Sequence, residues 1–312
     1  MPQSCCQDKG RFPVPTFPLP AMTPTPSFPP LPLADWLPTR DAIHAYAQAL
    51  GKIRGVLTPR QRHWWHISLC VTETGLATPP IPLAPDGSSL VLRLDLQQHR
   101  LEIDLPAHPT RTLPLTAPWS SRSFLGQVLE VLAAAGVDPG IDRASFGSET
   151  PLSYDPIAAE RFGAVLRQVD VVFRRFQAEL PGETSPVQLW PHHFDLALTW
   201  LSGRKVPGFD EADEEWADEQ MGFGFVTGDG GFLDPYFYIM AYPWPPALDA
   251  VPLKRPARWV RKGWKGALLP YAALSSRKDP AAYLLDFLSG VQQMAAKQMM
   301  ATPMPGAAAP SG

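Results

Sequence analysis

The segment "SSLVLRLDLQQHRLEIDL", residues 88–105, constrains the fold of this chain more than any other. Leucine or isoleucine occupies every second position on both sides of its polar centre. A period of two places these side chains on one face of each strand, and the polar break between the two runs predicts a turn near Gln97–His99. The segment therefore predicts an antiparallel hairpin with one buried face.

Four helices are predicted from apolar residues that recur at steps of three and four, or from capping signals. Two of the helices begin with an aspartate followed by a proline, which supply an N-cap and a first helical residue in their preferred places. The polar positions of the third helix, among them Asp170, are expected to face away from the core. The predicted helices are 40–57 after Thr39, a helix that ends at Gly136, one from Asp155-Pro156 to about Leu180, and one from Asp279-Pro280.

The strand-like segments lie between these helices without regular strand–helix–strand alternation. That order favours an α+β fold with mainly antiparallel sheets packed against about four helices, in a single large domain. No linker is visible, although two halves, 34–150 and 151–292, are compatible with the order of elements. The strand-like segments are 64–74 ("WWHISLCVTET"), 194–201, 221–227, 235–242 and 258–269.

The two ends of the chain differ in composition from the rest. Ten of the first 32 residues are proline, so residues 1–33 are predicted to be a disordered tail, or an upstream extension before a start at Met22. Residues 293–312 are predicted to be the end of the last helix followed by a second disordered tail. The globular domain is therefore expected over 34–292.

Overall composition excludes several classes of protein. The net charge of −3 at pH 7 gives no reason to expect a nucleic acid partner. No apolar run reaches the ~18 residues of a spanning helix, so a soluble protein without a membrane partner is expected. Three cysteines, of which Cys5 and Cys6 are adjacent, cannot form a disulfide framework, which favours the cytoplasm. The sequence specifies neither a cofactor nor an oligomeric state.

Five long segments resemble a bacterial domain-of-unknown-function family, number 5996, over about residues 34–290. These segments are "KIRGVLTPRQRHWWHISLCVTETGLATPPIP", "SYDPIAAERFGAVLRQVDVVFRRF", "SPVQLWPHHFDLALTWLSGR", "ADEQMGFGFVTGDGG" and "PYFYIMAYPWP". The family has no established activity, so the resemblance implies no catalytic residue, cofactor or partner.

Mixed polar and aromatic strand faces give the first functional hypothesis, a pocket for a small organic ligand. Alternation along 64–72 places Trp64, His66 and Ser68 on one face together with Cys70 and Thr72, which is a face too polar for a core. Alternation along 236–244 gives a stripe of tyrosines with hydroxyl groups, a pattern that also occurs in ordinary packing. The predicted pocket residues are Trp64, His66, Ser68, Tyr236, Tyr238 and Tyr242, with Asp229 of the turn 228–231 at the rim.

The segment "LWPHHFDLALTW" gives two further hypotheses. If 192–201 is a strand, His193 and Asp195 lie on the same face, where they can form a buried hydrogen-bonded pair without further function. As a catalytic pair, His193 would be a general base held by Asp195, with His66 or Ser68 nearby, and acyl or ester hydrolysis would be the reaction class. As metal ligands, His66, His193 and Asp195 would bind iron or zinc, with Asp229 or Glu219 as a further ligand.

A protein interaction module is the third functional class. The proline-rich start or the acidic run within 210–219 would dock a partner, and the acidic run could also be a solvated loop or a lid over a cationic ligand. No G-x-S-x-G, H-E-x-x-H or EF-hand motif is present in the sequence, so motif-bearing enzyme classes are excluded.

Overall fold

The structure is a computed structural model that describes residues 28–84, 87–210, 213 and 216–301. Two antiparallel sheets and a layer of helices form an α+β fold, as the sequence predicts. The helices are α1 (Leu37–Leu57), α2 (Ser121–Ala134), α3 (Pro156–Glu179), α4 (Ala272–Ser275) and α5 (Pro280–Ala301).

The N-terminal sheet contains the predicted hairpin. β4 (Ser89–Asp95) pairs with β5 (Arg100–Asp104) in antiparallel register, and Leu92 lies opposite Ile103 on the buried face. The connection runs through a turn in which His99 has a positive φ of 52°, so the predicted turn position is confirmed. The strands are β1 (Cys70–Val71), β2 (Gly75–Ala77), β3 (Ile81–Pro82), β4 (Ser89–Asp95), β5 (Arg100–Asp104) and β6 (Arg111–Pro114), in the order β1-β2-β4-β5-β6 with β3 beside β4.

The C-terminal sheet is the larger of the two. Its strands are β7 (Glu183–Thr184), β8 (Gln188–Trp190), β9 (Asp195–Lys205), β10 (Asp218–Val226), β11 (Tyr236–Tyr242), β12 (Arg258–Val260) and β13 (Gly266–Pro270). Their order is β12-β13-β11-β10-β9-β7, and the short strand β8 also pairs with β9. The backbones of Leu69 and Leu189 exchange two hydrogen bonds of 2.9 and 2.8 Å, so the chain beside β1 continues this sheet past β8.

Two predicted strand segments are partly wrong, and both errors come from residues with positive φ. Residues 62–67 form a 3-10 turn that is interrupted by a kink at His63 and Trp64, whose φ angles are 51° and 59°. Within 64–74 the only strand is therefore β1. Residues 191–194 form a second turn, in which Phe194 has φ of 56°, and β9 begins at Asp195. Alternation along 64–69 and 192–194 therefore does not decide which way those side chains point.

Helices α3 and α5 cover one face of the C-terminal sheet. Phe173 of α3 lies 6.3 Å from Phe237 and Phe176 lies 4.8 Å from Phe223, measured between ring centroids. Asp170, expected to face away from the core, is instead buried and forms an ion pair with Arg174. One continuous core includes residues from both predicted halves, which makes the chain a single domain.

The packed region begins before residue 34. Phe28, Leu31 and Leu33 are buried in the main core, and the Tyr271 hydroxyl donates to the Pro29 carbonyl at 2.8 Å. Among the described residues, apolar side chains between the prolines therefore reach the core from Phe28 onward, six residues before the predicted start of the globular domain. Residues 1–27 and 302–312 lie outside the described part of the chain.

Candidate functional site

The face of the C-terminal sheet opposite α3 and α5 carries the candidate site, and we call it the second face. Register places Trp190, Asp195, Val226 and Tyr236 in one row across β8, β9, β10 and β11. The neighbouring row contains Gln188, Ala197, Gly224 and Tyr238. Residues in such rows point to the same side of a sheet, so side chains from four strands converge here.

Asp195 and Tyr238 are joined across an intervening strand. The Tyr238 hydroxyl donates to Asp195 Oδ2 at 2.6 Å, although β10 separates β9 from β11. The tyrosine ring lies over Gly224, and a β-carbon at that position would come within 2.5 Å of the hydroxyl oxygen. Gly224 therefore provides the space through which Tyr238 reaches the carboxyl group.

The Asp195 carboxyl group is buried and only half satisfied. Its Oδ1 atom has no hydrogen-bond partner among the described residues. Burial raises the pKa of Asp195 above its usual range, although the hydroxyl of Tyr238 and the nearby charge of His193 act in the opposite direction. Burial and the Asp195 charge together hold the pKa of the Tyr238 hydroxyl well above its ordinary value, so this hydroxyl stays protonated and acts as the donor.

Aromatic rings pack around this pair. Trp264 contacts Tyr236 and Tyr238 at centroid separations of 6.3 and 6.4 Å, and Phe232 lies 5.4 Å from Tyr236. With Val226, Val260 and Leu268 they form an apolar cluster that is separate from the main core. The second face is therefore partly closed by the loop that carries Trp264 between β12 and β13.

Asp229, predicted at the rim of a pocket, lies at the end of this aromatic cluster. It is exposed, and its carboxylate accepts from the Tyr236 hydroxyl at 2.5 Å and from the backbone nitrogens of Gly231 and Phe232. Burial of the carboxylate opposes ionisation, but these three hydrogen bonds hold the pKa of Asp229 below its usual range. Asp229 thus fixes the turn and the ring of Tyr236.

A chain of polar groups continues from the second face to α1. The Ser68 hydroxyl donates to Gln188 Oε1 at 2.6 Å, and the Arg54 guanidinium donates to the Ser68 hydroxyl at 3.1 Å. Arg54 also donates to the backbone carbonyls of Trp65, at 2.8 Å, and of Ser68. The Gln188 Nε2 and Arg54 Nε atoms are buried and lack partners among the residues described. This edge of the site therefore presents unused hydrogen-bond donors.

The predicted pocket residues do not all meet. Ser68 lies at the edge of the second face through its bond to Gln188, and Tyr236 and Tyr238 lie on that face. Tyr242, six residues and roughly 20 Å along β11 from Tyr236, packs instead against Trp216 at 4.9 Å. Trp64 is half exposed and stacks on His66 in the 3-10 turn, so it faces outward.

The predicted pair of His193 and Asp195 is not a hydrogen-bonded pair. His193 lies in the turn 191–194 and is exposed, because Phe194 takes the inward position between His44 and Phe162. His192 is exposed for the same reason, and its ring lies 4.3 Å from that of His193. His193 influences Asp195 by its charge only.

The predicted metal site is not assembled. The described part of the chain contains no group of three or more histidine, cysteine, aspartate or glutamate residues arranged to hold a metal ion, so His66, His193 and Asp195 do not form one. His66 is buried in the 3-10 turn, where its Nδ1 accepts from the backbone nitrogen of Gln61 at 3.3 Å. Glu219 pairs with Arg204 instead of facing the site.

The acidic run is only partly a solvated loop. Asp218 and Glu219 are buried at the start of β10, and Asp218 forms ion pairs with Arg62 and with Lys205. These pairs attach the 3-10 turn and β9 to β10. Residues 211, 212, 214 and 215 of the run lie outside the described residues.

Sequence reasoning missed three residues that shape this site: Gln188, Gly224 and Arg54. Gln188 precedes the histidine pair and was visible as a polar residue in an apolar run, "VQLW". Gly224 stands in "GFGF", where glycine alternates with phenylalanine as a strand with one bare face would require. Arg54 gave no signal, since arginine on an amphipathic helix is ordinarily exposed.

A concave region lies elsewhere, in the N-terminal half of the chain. It is a surface groove of about 420 Å³ between the end of α2 and the loop 136–143, lined in part by Leu129 and Arg143. None of the predicted site residues lines it.

No helix among those described is long and apolar enough to cross a membrane.

Comparison with known proteins assigns the chain to a family. Residues 28–301 match the family of unknown function DUF5996, which is nearly the whole of the described region. No curated protein and no solved structure matches the chain. The match begins at Phe28, the first described residue, whose side chain is buried in the main core. This chain belongs to the family of unknown function DUF5996.

Proposed function

We propose that this protein binds a small organic molecule on the second face of its C-terminal sheet, with Asp195 as the polar anchor and the neighbouring aromatic rings as the wall. One observation carries the proposal: Asp195 Oδ1 is buried and has no partner among the described residues. Buried polar atoms are nearly always hydrogen-bonded, and one left unpaired costs about 1–3 kcal/mol. A hydroxyl or amino group of a ligand would supply the missing donor.

The surroundings of Asp195 suit a ligand better than bulk solvent. Tyr238 already occupies the other carboxyl oxygen, so the direction of the free oxygen is fixed. Tyr236 and Trp264 are nearly parallel, with 17° between their ring planes, and present flat apolar surfaces beside it. Few polar groups placed in an aromatic wall are typical of small-molecule sites. Because the rings close over Asp195, the ligand would enter as the loop 261–265 opens.

Thermal-shift measurements on a panel of small organic molecules, at mildly alkaline pH so that Asp195 is ionised, test the proposal. Asp195→Asn is the informative variant: its carbonyl oxygen keeps the bond from Tyr238, and its amide nitrogen replaces the free acceptor with a donor of the same shape. Compounds that raise the melting temperature of the natural protein should lose at least about tenfold in affinity, the worth of one hydrogen bond to a charged group.

Tyr242→Phe is the matched control, because this tyrosine lies on the same strand but at its far end, beside Trp216. It should leave the ligand-induced shifts unchanged. The proposal is wrong if no compound shifts the natural protein, or if the shifts survive in Asp195→Asn.

A further inference from the structure

The edge of the second face contains a positive charge that no acidic side chain of the described region neutralises. Arg54 is only 5% exposed, yet none of the described carboxylates forms an ion pair with it. Cys70 is the one titratable neighbour that raises its pKa, and burial lowers that pKa to about 10. Arginine is almost never buried without a partner, since an uncompensated charge in the interior is costly.

The hydrogen bonds of Arg54 leave part of its guanidinium unused. The Nη1 atom donates hydrogen bonds to the turn, to the carbonyls of Trp65 and Ser68 and to the Ser68 hydroxyl. The Nε atom is buried without a partner in the described chain. Guanidinium groups bind carboxylates through two parallel N–H donors, so an unused Nε is the half of the fork that such a contact needs.

A second unused donor lies two hydrogen bonds away. Ser68 Oγ is 3.1 Å from Arg54 Nη1 and 2.6 Å from Gln188 Oε1, which places the Gln188 amide beside the guanidinium. The Nε2 atom of that amide is buried and unpartnered within the described region. Both unused groups are donors, so each is chemically suited to an oxyanion.

This edge is continuous with the Asp195 site. Gln188 lies opposite Ala197, two residues from Asp195 on the neighbouring strand. Such diagonal neighbours are about 7–8 Å apart and share a face, which is within reach of one small molecule.

We propose that the ligand of the second face is a small organic acid, whose carboxylate is bound by Arg54 and Gln188 and whose hydroxyl or amino group is bound by Asp195. The inference rests on the proposed function and names its ligand class. Asp195 supplies the acceptor at one end, and Arg54 and Gln188 supply the donors at the other. A molecule with a carboxylate at one end and a donor at the other satisfies all the unpartnered atoms described above.

The test is a comparison of ω-hydroxy and ω-amino acids of increasing chain length, each measured beside its uncharged primary amide. Thermal shift at constant ionic strength identifies the chain lengths that bind, and calorimetry gives their affinities. In the natural protein the acids should bind about tenfold or more tightly than their amides, because a charge-assisted pair is replaced by a neutral one. Arg54→Lys keeps the positive charge but loses the paired N–H donors of the guanidinium. Gln188→Met keeps the side-chain volume but loses the amide donor. Both variants should remove most of the preference for acids over amides.

Arg174→Gln is the matched control for long-range charge. Arg174 belongs to the same neighbourhood, since it and Arg54 both favour the ionised form of Cys70, but its guanidinium is paired with Asp170. This variant should keep the preference for acids. If Arg54→Lys weakens the fold by releasing the turn carbonyls, Gln188→Met still decides the matter.

The other outcomes separate the two proposals. Acids and amides that bind equally well, and that both fail in Asp195→Asn, would refute the carboxylate site and leave the proposed function standing. Acids whose preference is unchanged in Arg54→Lys and Gln188→Met would also refute it. If neither class of compound binds, both proposals are wrong.

Discussion

Replacing Gly224 with alanine tests the arrangement of the second face most directly. The new β-carbon would lie 2.5 Å from the Tyr238 hydroxyl oxygen, whereas carbon and its neighbours pack at about 3.5 Å. The ring must therefore move by about 1 Å, and a 2.6 Å hydrogen bond displaced by that amount no longer meets the geometric limit. Asp195 would then lose the hydrogen bond that satisfies Oδ2.

The magnitude follows from three contributions. Losing the bond to the buried carboxyl group costs about 1–3 kcal/mol, and forcing the ring aside costs about 1–3 kcal/mol. Replacing glycine in a strand returns about 0.5–1 kcal/mol. The free energy of unfolding should fall by about 1–5 kcal/mol, which urea denaturation resolves.

Gly222 provides the matched control. It stands two residues away on the same strand and face, and a β-carbon there meets no atom within 4 Å. Gly222→Ala should be neutral or stabilising by up to about 1 kcal/mol. In Gly224→Ala/Tyr238→Ala, where the obstructing ring is gone, the added cost of the glycine substitution should disappear. Equal destabilisation by the two glycine substitutions, or no coupling in the double variant, would refute the role given to Gly224.

Three further predictions concern charged groups. Because burial raises the folded pKa of Asp195, its stabilising contribution is complete below the unfolded pKa of about 3.9 and is lost as pH rises through the raised value. In urea unfolding, the free energy of unfolding of Asp195→Asn should therefore increase relative to that of the natural protein as pH increases, and a pH-independent difference would contradict this. Partial burial and the charges of neighbouring histidines lower the folded pKa of His192 to about 4, so stability is lost as pH falls from about 6.5 toward 4. His192→Gln should therefore reduce the dependence of the melting temperature on pH over that range. Asp218→Asn should lower the free energy of unfolding by about 2–3 kcal/mol, because the carboxylate is buried between two partly exposed cations. Lys205→Met removes only an exposed partner and should lower it by under about 1 kcal/mol, so similar losses in urea unfolding would show that burial of Asp218 is not the cause.

Local patterns in the sequence predicted the regular elements of this protein. Hydrophobic periodicity and capping are local properties of the chain. They predict the hairpin of β4 and β5, the helices α1, α2, α3 and α5, and the strands β9 to β11. The tyrosine stripe was visible as well, since alternation along β11 holds from Tyr236 to Tyr242, and so was the mixed polar character of 64–72. The resemblance to a family is likewise a property of the sequence.

Which of these surfaces meet depends on the packing of distant segments. Ser68 and Tyr238 are far apart in sequence and share a site because a bridge between Leu69 and Leu189 adds the chain near β1 to the C-terminal sheet. The turns at Trp64 and Phe194 reversed the predicted directions of nearby side chains, because a single residue with positive φ shifts the alternation and its cause lies in distant packing. Arg54 became part of the site for the same reason: the carbonyls that hold it come from a turn whose shape no local pattern specifies.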